Sequence, residues 1–435
     1  MKETYTEKDG VLYNSKGDAV FTEEMKKDYT LLVPNMCSVH FTMLVGYFGS
    51  LGYNVDLLRE TDTKSVAEFG LRFVHNDTCY PAILVIGELL RAVFSGKYDT
   101  HRIALVISQT GGGCRASNYM FLLKKALKKA DLAYIPVLSF NFAGLDQQPG
   151  FKFGFKHYTE MIKAVVYGDL ITHLKNQCEP YELKKGETQA LVDRWTASLA
   201  EELTDRKKMT PEYMTQNYRK ICDSFAAIGL SDIKKPKVGI VGEIYVKCAP
   251  LGNNNLERFL VENGAEVCAP GLMNFLLYCF YGNVARYHLY GEGWLKYKVT
   301  SYLINKFQKL EYIVQDVLRD YPQFRNFSTF DECHEMIEGI ISEGVDMGEG
   351  WFLPAEVMEL IHDGVNNIVL TQPFGCLPNH IVAKGIMKKV REIYPDANLV
   401  AVDYDASASK VNQENRLRLL LANAKDPNEI PVIPQ

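Results

Sequence analysis

Three cysteines lie in turns that are rich in glycine or proline: Cys79, Cys114 and Cys376. Amide groups that converge on a sharply turning backbone stabilise negative charge, and the thiolate is the form of cysteine that binds a soft metal. Three such turns on one chain suggest ligands of one shared metal site. The alternative is that these three side chains only pack in the interior.

The long separation of the three cysteines in the sequence restricts the kind of site they can form. Bacterial ferredoxins hold clusters with compact C-x2-C runs, and structural zinc sites use paired C-x2-4-C motifs. Neither pattern occurs here. The finished fold must bring these ligands together. Three thiolates also leave one iron of a 4Fe-4S cluster without a cysteine, and an open position is what a substrate-binding metal site has.

Short β-rich segments alternate with amphipathic helical stretches at both ends of the chain, which is typical of parallel α/β units. The predicted strands are 29–34, 53–58, 103–108, 135–140, 238–244, 265–269, 367–371 and 398–403. Ligands of open parallel sheets lie beyond the carboxyl ends of the strands. The turns of Cys114 and Cys376 directly follow two of these segments.

The sequence therefore predicts an α/β protein with two Rossmann-like parallel-sheet domains and helical insertions. The N-terminal α/β domain spans 1–150, and a helical layer or linker spans 151–235. The C-terminal α/β domain spans 236–435 and contains a helical insertion at about 274–365. Two domains are expected because a chain of 435 residues exceeds what one core usually supports.

Three side chains near predicted strand ends could transfer protons: His40, Glu243 and His380. A structural hydrogen bond or a solvated position is the alternative for each histidine, and a helix cap is the alternative for Glu243. Two further cysteines, Cys37 and Cys248, also follow predicted strands and could add ligands, or they could be buried turn thiols.

The turns themselves supply candidate cofactor-binding residues. Gly112, Gly113 and Gly375 let the backbone approach a bound group closely, and Arg115 could neutralise a cluster or grip a phosphate. A salt bridge is the alternative for Arg115. The glycine turn lacks the G-x-G-x-x-G spacing of a dinucleotide site, so the sequence favours nucleotide binding less than metal binding.

Composition excludes several classes of protein. A net charge of −5 and a pI near 6.0 do not favour nucleic acid. The first residues are polar, unlike a signal peptide, and no apolar run is long enough to span a membrane. We expect a cytoplasmic protein, in which the ten cysteines stay reduced.

Several motifs resemble the 2-hydroxyacyl-CoA dehydratase family over essentially the whole chain. The similarity is greatest to the dehydratase-like module of activase-related proteins. The matching motifs lie at 79–82 with 87–88, 109–115 with 118–119, 241–246, 373–380, 403–405 and 412–416. The resemblance implies two Rossmann-like domains that hold a 4Fe-4S cluster through Cys79, Cys114 and Cys376.

The resemblance also implies a reaction and partners. Relatives accept a low-potential electron from an ATP-hydrolysing iron–sulfur activator and form a ketyl radical from an acyl-CoA, which permits dehydration or reduction. The chain has no G-x4-G-K-[ST] phosphate loop of its own, so a partner would supply ATP chemistry. The resemblance implies a homodimer as well.

Two other functions remain open at this stage. The chain could be a non-enzymatic electron carrier, or a scaffold for activation or cluster maturation. It could instead carry a larger, double-cubane cluster and reduce small molecules, if more cysteines were ligands.

Overall fold

Two parallel sheets organise the computed structural model, which describes residues 5–109, 113–140 and 148–424. A short antiparallel hairpin comes first, formed by β1 (Thr6–Lys8) and β2 (Val11–Tyr13). Within the described residues, no helix is both long and apolar enough to cross a membrane.

The first sheet has four parallel strands in the order β4-β3-β5-β6. They are β3 (Thr30–Val33), β4 (Asn54–Leu57), β5 (Ile103–Ser108) and β6 (Val137–Phe140). Thr30 is in register with both Asn54 and Ile103. The central strand β5 is buried except for its last residue, as expected for a parallel strand covered by helices on both faces.

The second sheet repeats this arrangement with the order β10-β9-β7-β8, again all parallel. Its strands are β7 (Lys237–Gly242), β8 (Glu266–Cys268), β9 (Asn367–Pro373) and β10 (Asn398–Tyr404). Numbered within each sheet, both orders are 2-1-3-4. The prediction of two Rossmann-like parallel sheets is confirmed, and all eight predicted strands are present within a few residues of their predicted bounds.

Helices cover both sheets. Around the first sheet they are Met25–Asp28, Ser38–Ser50, Thr63–Gly70, Tyr80–Val93 and Tyr119–Lys129. Around the second sheet they include Ile244–Cys248, Pro250–Asn253, Leu256–Glu262, Phe352–His362, Lys384–Ile393 and Lys410–Ala422. The chain also has short 3-10 turns at Arg115–Asn118 and Arg206–Met209 and a π-helical segment at Asn379–Ala383.

Longer helices fill the two regions that the sequence marks as charged and helical. Three of them precede the second sheet in the sequence: Phe155–Cys178, Glu187–Glu202 and Pro211–Ala226. The others lie between β8 and β9: Leu272–Tyr290, Trp294–Leu318 and the shorter Phe330–Glu335. These helices share one apolar core, in which Tyr167, Tyr218 and Trp351 are fully buried. The exact domain boundaries at 150 and 235 stay predictions.

A second apolar core joins the two sheets. It contains Leu105 of β5 together with Val369 of β9, and it includes Cys79 and Tyr80. The carboxyl ends of the two sheets therefore belong to one packed unit, which fixes the position of the turns that follow the strands.

Candidate functional site

Cys79 and Cys376 come from different sheets, and the backbone holds them together. The amide of Tyr80 donates to the carbonyl of Phe374 at 3.0 Å. Gly375 has a left-handed φ of 75°, and a Cβ added there would lie 3.1 Å from the Cα of Cys79. Only glycine suits a position that combines this φ with so close a backbone neighbour. The turn after β9 thus packs directly on Cys79.

Cys114 reaches the same place from the end of β5. It precedes the 3-10 turn Arg115–Asn118, and its Sγ accepts a hydrogen bond from the amide of Ala116 at 3.5 Å. Burial raises the pKa of the Cys114 thiol to about 12, and the negative charges of Glu349, Glu243 and Cys79 add to that rise. The turn of Cys114 is joined to Cys79 through Tyr119, whose Oη lies 3.0 Å from the Sγ of Cys79.

Each of the three sulfurs has a polar partner. The Sγ of Cys79 lies 3.0 Å from the Oη of Tyr119, and the amide of Asn379 lies 3.2 Å from the Sγ of Cys376. Burial raises the pKa of both thiols, and these contacts oppose the rise. Without a metal, the three cysteines therefore hold their protons at neutral pH. A bound metal would replace those protons.

The amide of Asn379 can take two orientations. Turned by 180°, its nitrogen donates to the Thr371 carbonyl and its oxygen accepts from the Glu243 amide, both at 3.3 Å. Its oxygen then faces Cys376 and can accept from a thiol, whereas the first orientation donates to a thiolate. The turned orientation gives both amide atoms a backbone partner and suits a protonated Cys376.

Two carboxyl groups lie near the thiols, the half-buried Glu243 and the buried Glu349. Glu243 precedes the helix Ile244–Cys248, and its Oε2 accepts from the amide of Val246 at 2.9 Å. Burial raises the pKa of Glu243 to about 8, with a further contribution from Glu349. Burial also raises the pKa of Glu349. At least one of the two is protonated at neutral pH.

Glu349 was not among the residues predicted from the sequence. It is 6% exposed, its Oε1 accepts from the amide of Ile244 at 3.2 Å, and its Oε2 has no hydrogen-bond partner within the described residues. A buried oxygen without a partner points to an additional group at the site. The sequence cue for a turn at this position is the Gly348-Glu349-Gly350 motif, and both glycines have a positive φ in the structure.

An ion pair lies behind the two carboxyl groups. The Nζ of Lys247 and the Oε1 of Glu356 are 2.5 Å apart, and each side chain is 1% exposed. Burial works to lower the pKa of Lys247, but the negative groups around it, Glu356 first among them, together hold that pKa above its ordinary value. Lys247 is therefore a permanent positive charge beside the acidic groups of the site.

The remaining predicted residues have different environments. His40 is buried and bonded through Nε2 to the Oδ1 of Asp169 at 2.9 Å, and Asp169 also accepts from two backbone amides. His380 is exposed in the π-helical segment. His40 thus has a structural hydrogen bond and His380 a solvated position, which are the alternatives to proton transfer. Neither histidine has a hydrogen bond to the three thiols within the described residues.

The predicted cofactor-binding residues lie around Cys114 and Cys376, with one exception. Gly112 lies outside the described residues. Gly113 packs under the Sδ of Met347, where a Cβ would clash. Arg115 is exposed, has no ion pair within the described part of the chain, and lowers the pKa of Cys79 through its charge.

The donor set suits a soft metal, although the thiols are not arranged as a finished coordination site. Among the described residues, no group of three or more His, Cys, Asp or Glu side chains is spaced to hold a metal ion. Three thiols from separate turns and a hydrogen-bonding contact to each sulfur nevertheless fit an iron–sulfur group better than a dry core.

A separate cleft of about 660 Å³ lies away from these residues. It is formed by the end of the helix Trp294–Leu318 and the segments that follow it, including Arg319, Arg325 and Asp363. None of the predicted site residues lines this cleft. The thiol site is therefore the candidate functional site.

No protein-family model matches the chain, and no curated protein matches it in sequence.

Proposed function

We propose that the chain is an iron–sulfur protein that holds a 4Fe-4S cluster through Cys79, Cys114 and Cys376. In this proposal, it receives low-potential electrons from an ATP-dependent activator and carries out radical dehydration or reduction of a small, acyl-CoA-like substrate. The observation that carries the proposal is the packing of the Gly375 turn on Cys79, since it brings distant cysteines of both sheets to one place.

The cluster would supply one iron without a protein thiolate, and with it a centre for one-electron reduction of a substrate. The chain's own residues would set the conditions around it. The phenol of Tyr119, the amide of Ala116 and the side chain of Asn379 can donate hydrogen bonds to ligand sulfurs. Such donors stabilise negative charge on sulfur and favour the reduced state.

Proton delivery would come from the carboxyl pair. The pKa of Glu243 is raised to about 8, chiefly by burial, so its carboxyl group can hold a proton at neutral pH and give it to a leaving hydroxyl group. Glu349 would share that proton, because the two carboxyl groups lie close enough for each charge to disfavour the other. Lys247 would offset the negative charge of an anionic cluster.

The test uses protein purified and reconstituted without oxygen. With an activator, ATP, a reductant and a panel of acyl-CoA thioesters, we expect the reduced protein to be reoxidised only when a substrate is present. Reoxidation that is the same with and without every thioester would contradict the enzymatic proposal. Arg115→Gln is a useful variant, because an anionic substrate should then bind more weakly while the iron content stays unchanged.

A specific observation favours the electron-carrier alternative. Phe374, Leu377 and Ile381 are large apolar side chains that are exposed beside Cys376. Exposed apolar patches often mark contacts with another protein. If electrons pass from the reduced chain to a second protein and to no thioester, the carrier function is the correct one.

A further inference from the structure

A loop of residues 343–350, the strap, contacts the turn of Cys114. It contains neither helix nor strand. The Sδ of Met347 packs on Gly113, the residue directly before Cys114, and a Cβ added to this glycine would clash with it. The Met347 side chain is nevertheless 57% exposed. Its outer side therefore faces solvent while its inner side covers the Cys114 turn.

The strap also contacts the turn of Cys376. A Cβ added to Gly348 would lie 2.6 Å from the Cγ of Pro378, two residues after Cys376. The next residue of the strap, Glu349, accepts from the amide of Ile244 at 3.2 Å. The strap therefore bridges turns that follow strands of both sheets, beside the thiol site.

The middle of the strap is held through few contacts. From the helix Leu272–Tyr290, the Oη of Tyr278 donates to the carbonyl of Gly348 at 2.8 Å. From the same helix, the Nε of Arg286 donates to the Oδ2 of Asp346 at 3.1 Å. The Arg286 side chain is 55% exposed, so water weakens this ion pair. A segment held by a few such contacts can open locally while the rest of the protein stays folded.

The two ends of the strap are held more firmly than its middle. At the first end, the Oε2 of Glu343 lies 2.8 Å from the Oη of Tyr281 and 3.0 Å from the Nε2 of His334. At the other end, the amide of Trp351 donates to the carbonyl of Val345 at 2.8 Å, and Trp351 is fully buried. Motion is therefore expected in the middle of the strap, between two fixed ends.

We propose that the strap is a cover that opens and closes over the thiol site and controls access to Cys114 and Cys376. Opening breaks the contacts of Tyr278 and Arg286 and lifts the middle of the strap off both turns. Small thiol-reactive molecules and metal chelators reach the site through this open state. The inference concerns the thiols themselves, so it holds whether or not they bind a cluster.

The rate of thiol alkylation tests this inference. The full chain is purified metal-free with a reductant, which is then removed, and is treated with iodoacetamide. Peptide mapping by mass spectrometry gives the rate at each cysteine. Arg286→Ala and Tyr278→Phe should each raise the rates at Cys114 and Cys376 about three- to tenfold, because each variant loses one contact of the closed strap. The rate at the buried Cys222 should not change.

Two further variants separate opening of the strap from other effects. Arg219→Ala is the matched control, because it removes another exposed Arg–Asp ion pair, that with Asp320, and should leave the rates at Cys114 and Cys376 unchanged. Met347→Ala keeps both contacts to the helix but shortens the covering side chain. It should raise the rate at Cys114 more than the rate at Cys376, because Met347 packs on the Cys114 turn.

Two outcomes would overturn the inference. The first is that Arg286→Ala and Tyr278→Phe leave the rates at Cys114 and Cys376 the same as in the unmodified chain. The second is that the rate at Cys222 rises in parallel, because the whole fold would then have loosened. Iron-free protein whose thiols respond as expected would contradict only the proposed function, so the failures of the two proposals are distinguishable.

Discussion

The two parallel sheets share a strand order but contribute different chemistry to the crevice between them. The first sheet brings Cys79 and Cys114 with their hydrogen-bonding partners, whereas the second brings Glu243, Lys247 and a single cysteine, Cys376. One side is rich in soft ligands and the other in buried charge. A thiol site with its own proton donors therefore exists only where both sheets are packed together.

This division of roles also has a cost. The first sheet contributes thiols that backbone geometry holds in place, and neutral thiols are inexpensive to keep buried. The second sheet buries an ion pair and several carboxyl groups, and each of these must be neutralised or protonated. We therefore expect substitutions in the charged half to affect stability most.

The largest effect is expected from Lys247→Met. This change leaves the carboxylate of Glu356 buried without its partner, and breaking a buried ion pair in this way costs about 3–5 kcal/mol. Urea denaturation measures the loss in the free energy of unfolding. The double variant with Glu356→Leu is the matched control and should recover much of that loss. No recovery would show that the second half is not held by this ion pair.

Gly87→Ala tests the backbone packing of the first half. A Cβ at Gly87 would clash with the carbonyl oxygen of Val66, because the helices Thr63–Gly70 and Tyr80–Val93 touch there. Overpacking of this kind costs about 1–3 kcal/mol. Gly49→Ala, in a helix with open space around it, is the control and should gain about 0.5–1 kcal/mol. Equal effects at both positions would contradict this account of the packing.

Stability should fall as pH rises from about 5 to 8. Burial raises the pKa of Glu88 near the first sheet, and of Glu359 near the second, to about 8. In the unfolded chain these two carboxyl groups have their ordinary pKa of 4.5, so between about pH 5 and 8 the folded chain binds more protons than the unfolded chain. The stability that they contribute is therefore present at low pH and is lost as pH approaches 8. Each group contributes a slope of at most about 1.4 kcal/mol per pH unit.

Unfolding measured at pH 5.5 and pH 7.5 checks this dependence. Glu88→Gln and Glu359→Gln should each make the dependence on pH less steep. Glu68→Gln, at an exposed position, serves as the control and should not. A pH dependence that neither buried variant changes would rule out these carboxyl groups as its source.

The smallest effect on stability is expected from Tyr119→Phe. The change removes one hydroxyl group from the Sγ of Cys79, and an ordinary hydrogen bond contributes about 1 kcal/mol. If the proposed cluster is present, the same change should make the cluster easier to oxidise and shift its reduction potential downward, because a donor that favours the reduced state is lost. Redox titration measures this shift, and an unchanged potential would show that Tyr119 does not act on a ligand sulfur.

Much of the fold could be predicted from the sequence because buried parallel strands are short, apolar segments that are rich in β-branched residues. The eight strands stand out for this reason, and turns that follow strands at the carboxyl edge could be placed in the crevice. Cys79 is different, because it lies between the helices Thr63–Gly70 and Tyr80–Val93, and its contact with the Gly375 turn depends on how these helices pack.

Other features of the site could not be predicted because they depend on tertiary contacts. Glu349 lies in a loop between helices, and the glycines on either side of it predict a turn but not its burial near the thiols. His40 illustrates the reverse, because a histidine near a strand end is bonded to Asp169 from a helix of the intervening layer.

The content of iron and acid-labile sulfide after anaerobic reconstitution tests the central claim most directly. We expect about four irons and four sulfides per chain in the unmodified protein, and less than half as much in Cys79→Ser, Cys114→Ser and Cys376→Ser. Cys178→Ala, which removes a buried thiol outside the site, should retain the full content. Iron-free unmodified protein, or equal iron in all four variants, would contradict the claim.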